Sequence, residues 1–140
     1  MAEFSVTHSY SAPPERVFDA WLDPAIARRF LFATPTGEMI RAEVDARVGG
    51  KFVFTDRRPD MGDVLHTGEY LEIDRPRRLA FTFGVPQYNA DFTRVLVEIA
   101  PAATGCDLTL TQAGVPAEWA DRSKQGWTMI LGWLEAALAP

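Results

Sequence analysis

Apolar and polar positions alternate from the first residues of the chain. In FSVTHSY, Phe4, Val6, His8 and Tyr10 share one face and small polar residues the other, the two-residue period of a half-buried strand. The period then changes. In SAPPERVFDAWLDPAIARRFL, prolines mark a helix start and Val17, Phe18, Trp21 and Leu22 fall on one face. Asp23-Pro24 reads as an N-cap and first-turn proline opening a second short helix that carries Ile26 and Phe30. Six strand-like segments follow: MIRAEVD, GKFVFTD, VLHTGEYLEID, RLAFTFG, TRVLVEIA and CDLTLTQAG. Their separators are rich in Gly, Pro, Asn and Asp at hairpin-compatible lengths, so the segments are expected to form an antiparallel meander. Gly49-Gly50 are expected to allow a bulge or tight turn that curves the sheet, and Gly68 to mark a bulge that changes the register of the fourth strand. No internal repeat, low-complexity tract or linker interrupts the pattern.

A helix from about Ala117 to Leu138 closes the chain. At about 100° per residue, Trp127, Leu131, Leu134 and Leu138 form one stripe. Ile130 and Ala137 widen it, and Met129 and Trp133 lie further round the same side. This arc exceeds the stripe of roughly 100° that one-sided packing requires. One strip can grip a sheet while the flank with Met129 and Trp133 faces a cavity, another subunit or the two short helices. Trp21 and Trp127 are both expected to be buried.

At 140 residues, 47% hydrophobic and 24% charged, the chain suits one domain spanning residues 1–140. No apolar run approaches about 18 residues, and the N-terminus has neither a basic nor an apolar signal region, so the expectation is a cytoplasmic protein without a membrane partner. Cys106, the single cysteine, fits a reducing compartment, provides no cysteine-based zinc site and suits a small core position. The formal charge of -5 argues against a nucleic-acid partner. The pairs Arg28-Arg29, Arg57-Arg58 and Arg77-Arg78 each sit beside acids or a turn and read as solvated surface.

One strand, two short helices, six strands and a long last helix is the element order of the helix-grip fold. The stretches APPERVFDAWLDPA, VDARVGGKFVF, GEYLEIDRPRRLAFTF, LTLTQAGVP and GWTMILGWLEAAL resemble, in the same order, the bacterial branch of the START-like (SRPBCC, Bet v 1-like) superfamily named for the activator of the heat-shock-protein-90 ATPase. The resemblance runs from about Phe4 to Leu138. It implies an α+β fold, a curved antiparallel sheet of about seven strands wrapped around the last helix, with a hydrophobic cavity between them. Superfamily members bind lipids, polyketides, hormones and aromatic compounds, and a few act as aromatases or cyclases, so the fold does not decide function. The eukaryotic namesake is a co-chaperone whose additional N-terminal domain contributes to its chaperone contact. No counterpart of that domain precedes the first strand here, so ATPase activation is not expected.

Strand parity places Phe52 with Phe54, Phe81 with Phe83, Val95 with Val97 and Ile99, and Leu108 with Leu110 and Gln112, facing Trp127, Leu131 and Leu134. The fourth strand is ambiguous: Leu65, Leu71 and Ile73 favour one face, His66, Tyr70 and Glu72 the other. The loops LFATPTGE, TDRRPDMGD and VPQYNADF are expected at the mouth. The expected ligand-contacting set is Trp21 and Phe30 after the first strand, with Phe52, Phe54, His66, Tyr70, Phe81, Phe83, Val95, Leu110 and Gln112 from the sheet. Tyr88 and Phe92 join them from the third loop, and Trp127, Ile130, Leu131 and Leu134 from the last helix. Gln112 stands out, because an amide among apolar neighbours needs a partner when buried.

Catalytic signatures are missing: no GxSxG, GxxxxGK[ST] or GxGxxG occurs, and with only His8 and His66 a multi-histidine metal centre is excluded. Asp56, Asp60 and Asp63 do not follow an EF-hand spacing and read as a solvated hairpin tip. His66, Tyr70, Tyr88, Asp91 and Glu98 are conceivable acid-base groups that no spacing singles out. The leading expectation is a binding domain for a small hydrophobic or aromatic molecule, without metal or cofactor. The alternatives are a protein-interaction module, chaperone-linked or a homodimer rather than a monomer, and an aromatase- or cyclase-like enzyme.

Overall fold

The computed structural model describes residues 2–88 and 91–138. Seven antiparallel strands form one curved sheet: β1 (Ala2–Tyr10), β2 (Glu38–Val44), β3 (Lys51–Arg58), β4 (Gly62–Asp74), β5 (Arg78–Phe83), β6 (Thr93–Ala102) and β7 (Gly105–Val115). The order is β1-β7-β6-β5-β4-β3-β2, so the meander runs unbroken from β2 to β7 and β1 joins the β7 edge. Helices α1 (Pro14–Leu22) and α2 (Pro24–Ala27) connect β1 to β2, and a short 3₁₀ turn (Ala117–Trp119) leads into α3 (Ala120–Leu138). Among the described residues no helix is long and apolar enough to cross a membrane.

Helix α1 stops where Asp23 turns extended (φ -97°, ψ 110°), and the Asp23 carboxylate accepts the Ala25 amide at 3.0 Å to open α2. Helix α2 is a single turn, shorter than expected, and Phe30 lies beyond it in a turn that buries the ring completely. Trp21 and Trp127 are both buried, at 1% and 3% exposure, and stack with centroids 6.4 Å apart. The end of α3 is held from three sides. The Tyr10 hydroxyl donates to the Leu131 carbonyl at 2.8 Å, Arg29 donates to that of Ala137 at 3.4 Å, and Arg16 donates to that of Leu138. The two arginine bonds satisfy carbonyls of the last turn that a helix leaves unpaired and set cations at its negative end, while the Tyr10 bond adds a second acceptor role to a carbonyl inside the helix.

The expected bulge at Gly68 is not where the sheet is irregular. The β3–β4 register runs straight through Gly68, and the irregularity in β4 lies between Tyr70 and Glu72. Gly68 is needed for a close approach instead: a Cβ there would sit 1.7 Å from the Thr82 carbonyl oxygen. The β4 faces are settled too. Val64, His66 and Tyr70 point inward, while Leu71 stands out in solvent.

Gly68→Ala is expected to remove about 1–3 kcal/mol of stability by forcing β4 from β5. Gly132→Ala, where an added Cβ meets nothing within 4 Å, should stabilise the helix by up to about 1 kcal/mol. Urea denaturation of the two variants tests both signs.

Candidate ligand pocket

The interior between the sheet and the segment of α1 and α2 is filled. Trp21, Leu31, Phe52, Tyr70, Leu79 and Phe81 enclose a residual void of about 10 Å³. A larger space lies beside residues 123–133 of α3. There a pocket of about 310 Å³ opens to solvent. Its sheet wall is Arg58, His66, Phe83 and Gln112, its helix wall Ser123, Gly126, Trp127, Met129, Ile130 and Trp133, and its third side Phe32, Ala33 and Thr34 from the segment after α2. A smaller recess of about 200 Å³, lined by Tyr88, Asp91 and Trp119 among others, shares Phe83, Gln112 and Ser123 with it.

Phe32 separates pocket from core. Its backbone is left-handed (φ 61°), which an L-residue with a bulky side chain rarely adopts. That geometry turns the ring inward, parallel to His66 at 4.6 Å and to Phe83 at 4.7 Å, with Trp127 edge-on at 5.8 Å. The strain persists because these rings, with Phe52 and Phe54 behind them, determine the ring's position.

Polar groups in the floor are few and mostly paired. Gln112 accepts the Trp127 indole N–H at 2.8 Å and donates to Thr93 Oγ1 at 2.9 Å, so its amide meets the requirement of burial and fixes α3 against β7. His66 is 6% exposed and its Nδ1 lies 3.3 Å from the Phe54 carbonyl oxygen. Burial, and then the Arg58 charge, push its pKa down to about 4, so the imidazole is neutral near pH 7.

Asp56 overturns the expectation of a solvated hairpin tip. Asp60 and Asp63 are exposed, but Asp56 is 0% exposed. Its Oδ2 accepts Thr34 Oγ1 at 2.8 Å and Arg58 Nε at 3.0 Å, while Oδ1 has no partner among the described residues. Arg58 is likewise not free surface: its side chain is 20% exposed and lies along the pocket.

Of the residues expected to contact a ligand, His66, Phe83, Gln112, Trp127 and Ile130 come together around the pocket, and Tyr88 lines the adjoining recess. Phe92 is half exposed and packs on Gly84 beside that recess. Trp21, Phe30, Phe52, Phe54, Tyr70, Phe81, Val95, Leu110, Leu131 and Leu134 lie in the packed core. Phe32, Ala33, Thr34, Arg58, Ser123 and Gly126 were not in the expected set. Strand parity could have found Arg58, which continues the inward face of Phe52, Phe54 and Asp56; nothing periodic marks Phe32. The conceivable acid-base groups disperse: Tyr70 is in the core, Tyr88 and Asp91 line the recess, and Glu98 pairs with Arg78 at 3.1 Å.

The family model described as Activator of Hsp90 ATPase homolog 1-like protein matches residues 11–139. A search of curated proteins finds no match. Among solved structures the chain is similar to protein CV1439 from Chromobacterium violaceum, with a TM-score of 0.87 and 28% identity over 100% of this chain and 99% of that one. It is also similar to the AHSA1-like protein from Aeromonas hydrophila, with a TM-score of 0.85 and 23% identity over 98% and 92% of the two chains. Protein NE0264 from Nitrosomonas europaea gives 0.83 and 19% over 97% and 93%. The last two likenesses concern the fold alone.

Two outcomes follow from the polar floor. Gln112→Leu strands the Trp127 N–H and should cost about 1–3 kcal/mol, most of it recovered when Trp127→Phe is added, in a denaturation double-mutant cycle. For His66, the native pKa of about 4 lies below the unfolded 6.5. Its contribution is therefore complete above pH 6.5 and lost as pH falls toward 4. Between pH 7 and 4 the wild type should lose about 3 kcal/mol relative to His66→Phe in urea melts.

Proposed function

Since the chain belongs to the family of Activator of Hsp90 ATPase homolog 1-like proteins, we propose that it works as a binding domain for a small hydrophobic or aromatic molecule, held in the pocket between Phe32, the sheet and α3. The observation that carries this reading is the pocket's composition: aromatic and aliphatic walls with a few placed polar groups, the usual make-up of a small-molecule site. Its volume of about 310 Å³ sits at the small end of the usual range of about 300–1,000 Å³, which suits a ligand of one or two rings. Met129, 53% exposed, and Trp133 give the mouth an apolar lip that a ligand would cover. Catalysis finds less support, because only one side chain with a displaced pKa lines the pocket among the described residues.

A second reading has one observation in its favour. Exposed Tyr88, Phe92 and Trp119 gather beside the recess, with Met61 in contact with the Tyr88 hydroxyl at 3.8 Å, and such a patch suits a protein partner or a second copy.

Naphthalene at ten times its Kd should add about 1.4 kcal/mol and raise Tm by a few degrees. Ile130→Trp, which fills the pocket, should abolish the shift while the variant stays folded by circular dichroism. An unchanged Tm for the wild type, with a concentration-dependent dimer in sedimentation, would favour the second reading.

A further inference from the structure

His66 presents one ring nitrogen to the pocket. Its Nδ1 faces the Phe54 carbonyl oxygen, which only accepts, so Nδ1 carries the proton and Nε2 keeps a lone pair. Among the described residues the one ring hydrogen bond with full geometry is that of Nδ1, and the Val64 backbone also acts on the imidazole. Nε2 is not sealed off, since the enclosed unpartnered side-chain atoms among the described residues are Trp21 Nε1 and Asp56 Oδ1. Phe32 covers a face of the ring and Phe54 holds the Nδ1 edge, so Nε2 is the edge that meets the pocket. The low imidazole pKa keeps it an acceptor at neutral pH.

Arg58 supplies the complementary group. Its Nε is committed to Asp56, while Nη1 and Nη2 bond no described residue, and the side chain lines the same pocket. Its charge acts on His66 closely enough to lower that residue's pKa. An acceptor and a donor thus stand near one another in an otherwise apolar wall. Buried Asp56 offsets the Arg58 charge, so the floor has little net attraction for an anion, and the Nε2 lone pair opposes a carboxylate. A cation would meet the guanidinium. A hydrocarbon would displace water from both groups and replace none of its hydrogen bonds. A hydroxyl satisfies both at once.

We propose that the pocket selects a hydroxylated ring compound, of phenol or naphthol type, whose O–H donates to His66 Nε2 and whose oxygen accepts from Arg58. This assignment rests on the reading of the pocket as a ligand site. It also gives Phe32 a function: the ring holds His66 flat and in register, so that the acceptor faces the ligand.

The test is calorimetric titration of the full chain with naphthalene, 2-naphthol and 2-naphthoate at pH 7. 2-Naphthol should bind about tenfold more tightly than naphthalene, and more tightly than 2-naphthoate. His66→Phe preserves the stacked ring, so it should keep naphthalene binding and lose the naphthol preference. Arg58→Lys, which leaves a cation beside Asp56, should reduce the preference and carries the test if His66→Phe does not fold. Equal affinity for naphthol and naphthalene, or a preference unchanged in both variants, would overturn the hydroxyl assignment and leave the pocket reading standing. Tightest binding of 2-naphthoate would overturn it in favour of recognition of charge. No binding of any of the three would overturn the pocket reading along with it.

Discussion

A single helix has to cover the inner face of a seven-stranded sheet. Strands spaced about 4.8 Å apart put the outer members of a flat seven-stranded sheet about 29 Å from one another, and a helix with its side chains is only about 10–12 Å across. Curvature narrows the gap, and α1, α2 and the segment after them fill part of what remains. The Trp21–Trp127 stack joins the two helical layers over the middle of the sheet, and there packing is complete. Where α3 begins, no second α-helix lies alongside it among the described residues, and a loop ring, Phe32, serves instead. The pocket is the space that this arrangement leaves.

Having one fixed point at that end gives the pocket its shape. The Trp127–Gln112–Thr93 chain of hydrogen bonds sets both the height and the rotation of α3 above β7 and β6. With Trp127 fixed inward, helical spacing sends Ile130 and Trp133 to the pocket wall and Leu131 and Leu134 into the core. Aromatic stacking then seats Phe32 on His66 and Phe83. The polar groups at the floor are therefore positioned by neighbours that have no freedom to drift, which is what recognition of a small molecule requires.

Strand alternation made the sheet legible because one face is buried: Phe52 with Phe54 and Leu108 with Leu110 could face only one way. Where the pocket replaces the core, the same logic weakens. In β4 the inward positions include His66 and the exposed ones include Leu71, the inverse of simple patterning, so faces there could not be assigned from residue type. Asp56 and Arg58 lie on the inward parity of β3, yet as charges in a hairpin they read as surface. Phe32 owes its position to a left-handed backbone in an irregular segment, for which no period exists. The seventeen residues expected around a ligand therefore mixed core with pocket, since an inward apolar side chain carries no mark of whether another side chain or a vacant space stands opposite it.

Native against denaturing mass spectrometry of the freshly purified protein decides whether the space beside α3 is a ligand site or a fault in packing. The chain is expected to carry extra mass under native conditions, one small molecule per copy, released on denaturation. A bare chain mass under both conditions, with the protein held as a stable dimer over its exposed aromatic patch, would contradict the ligand-site reading.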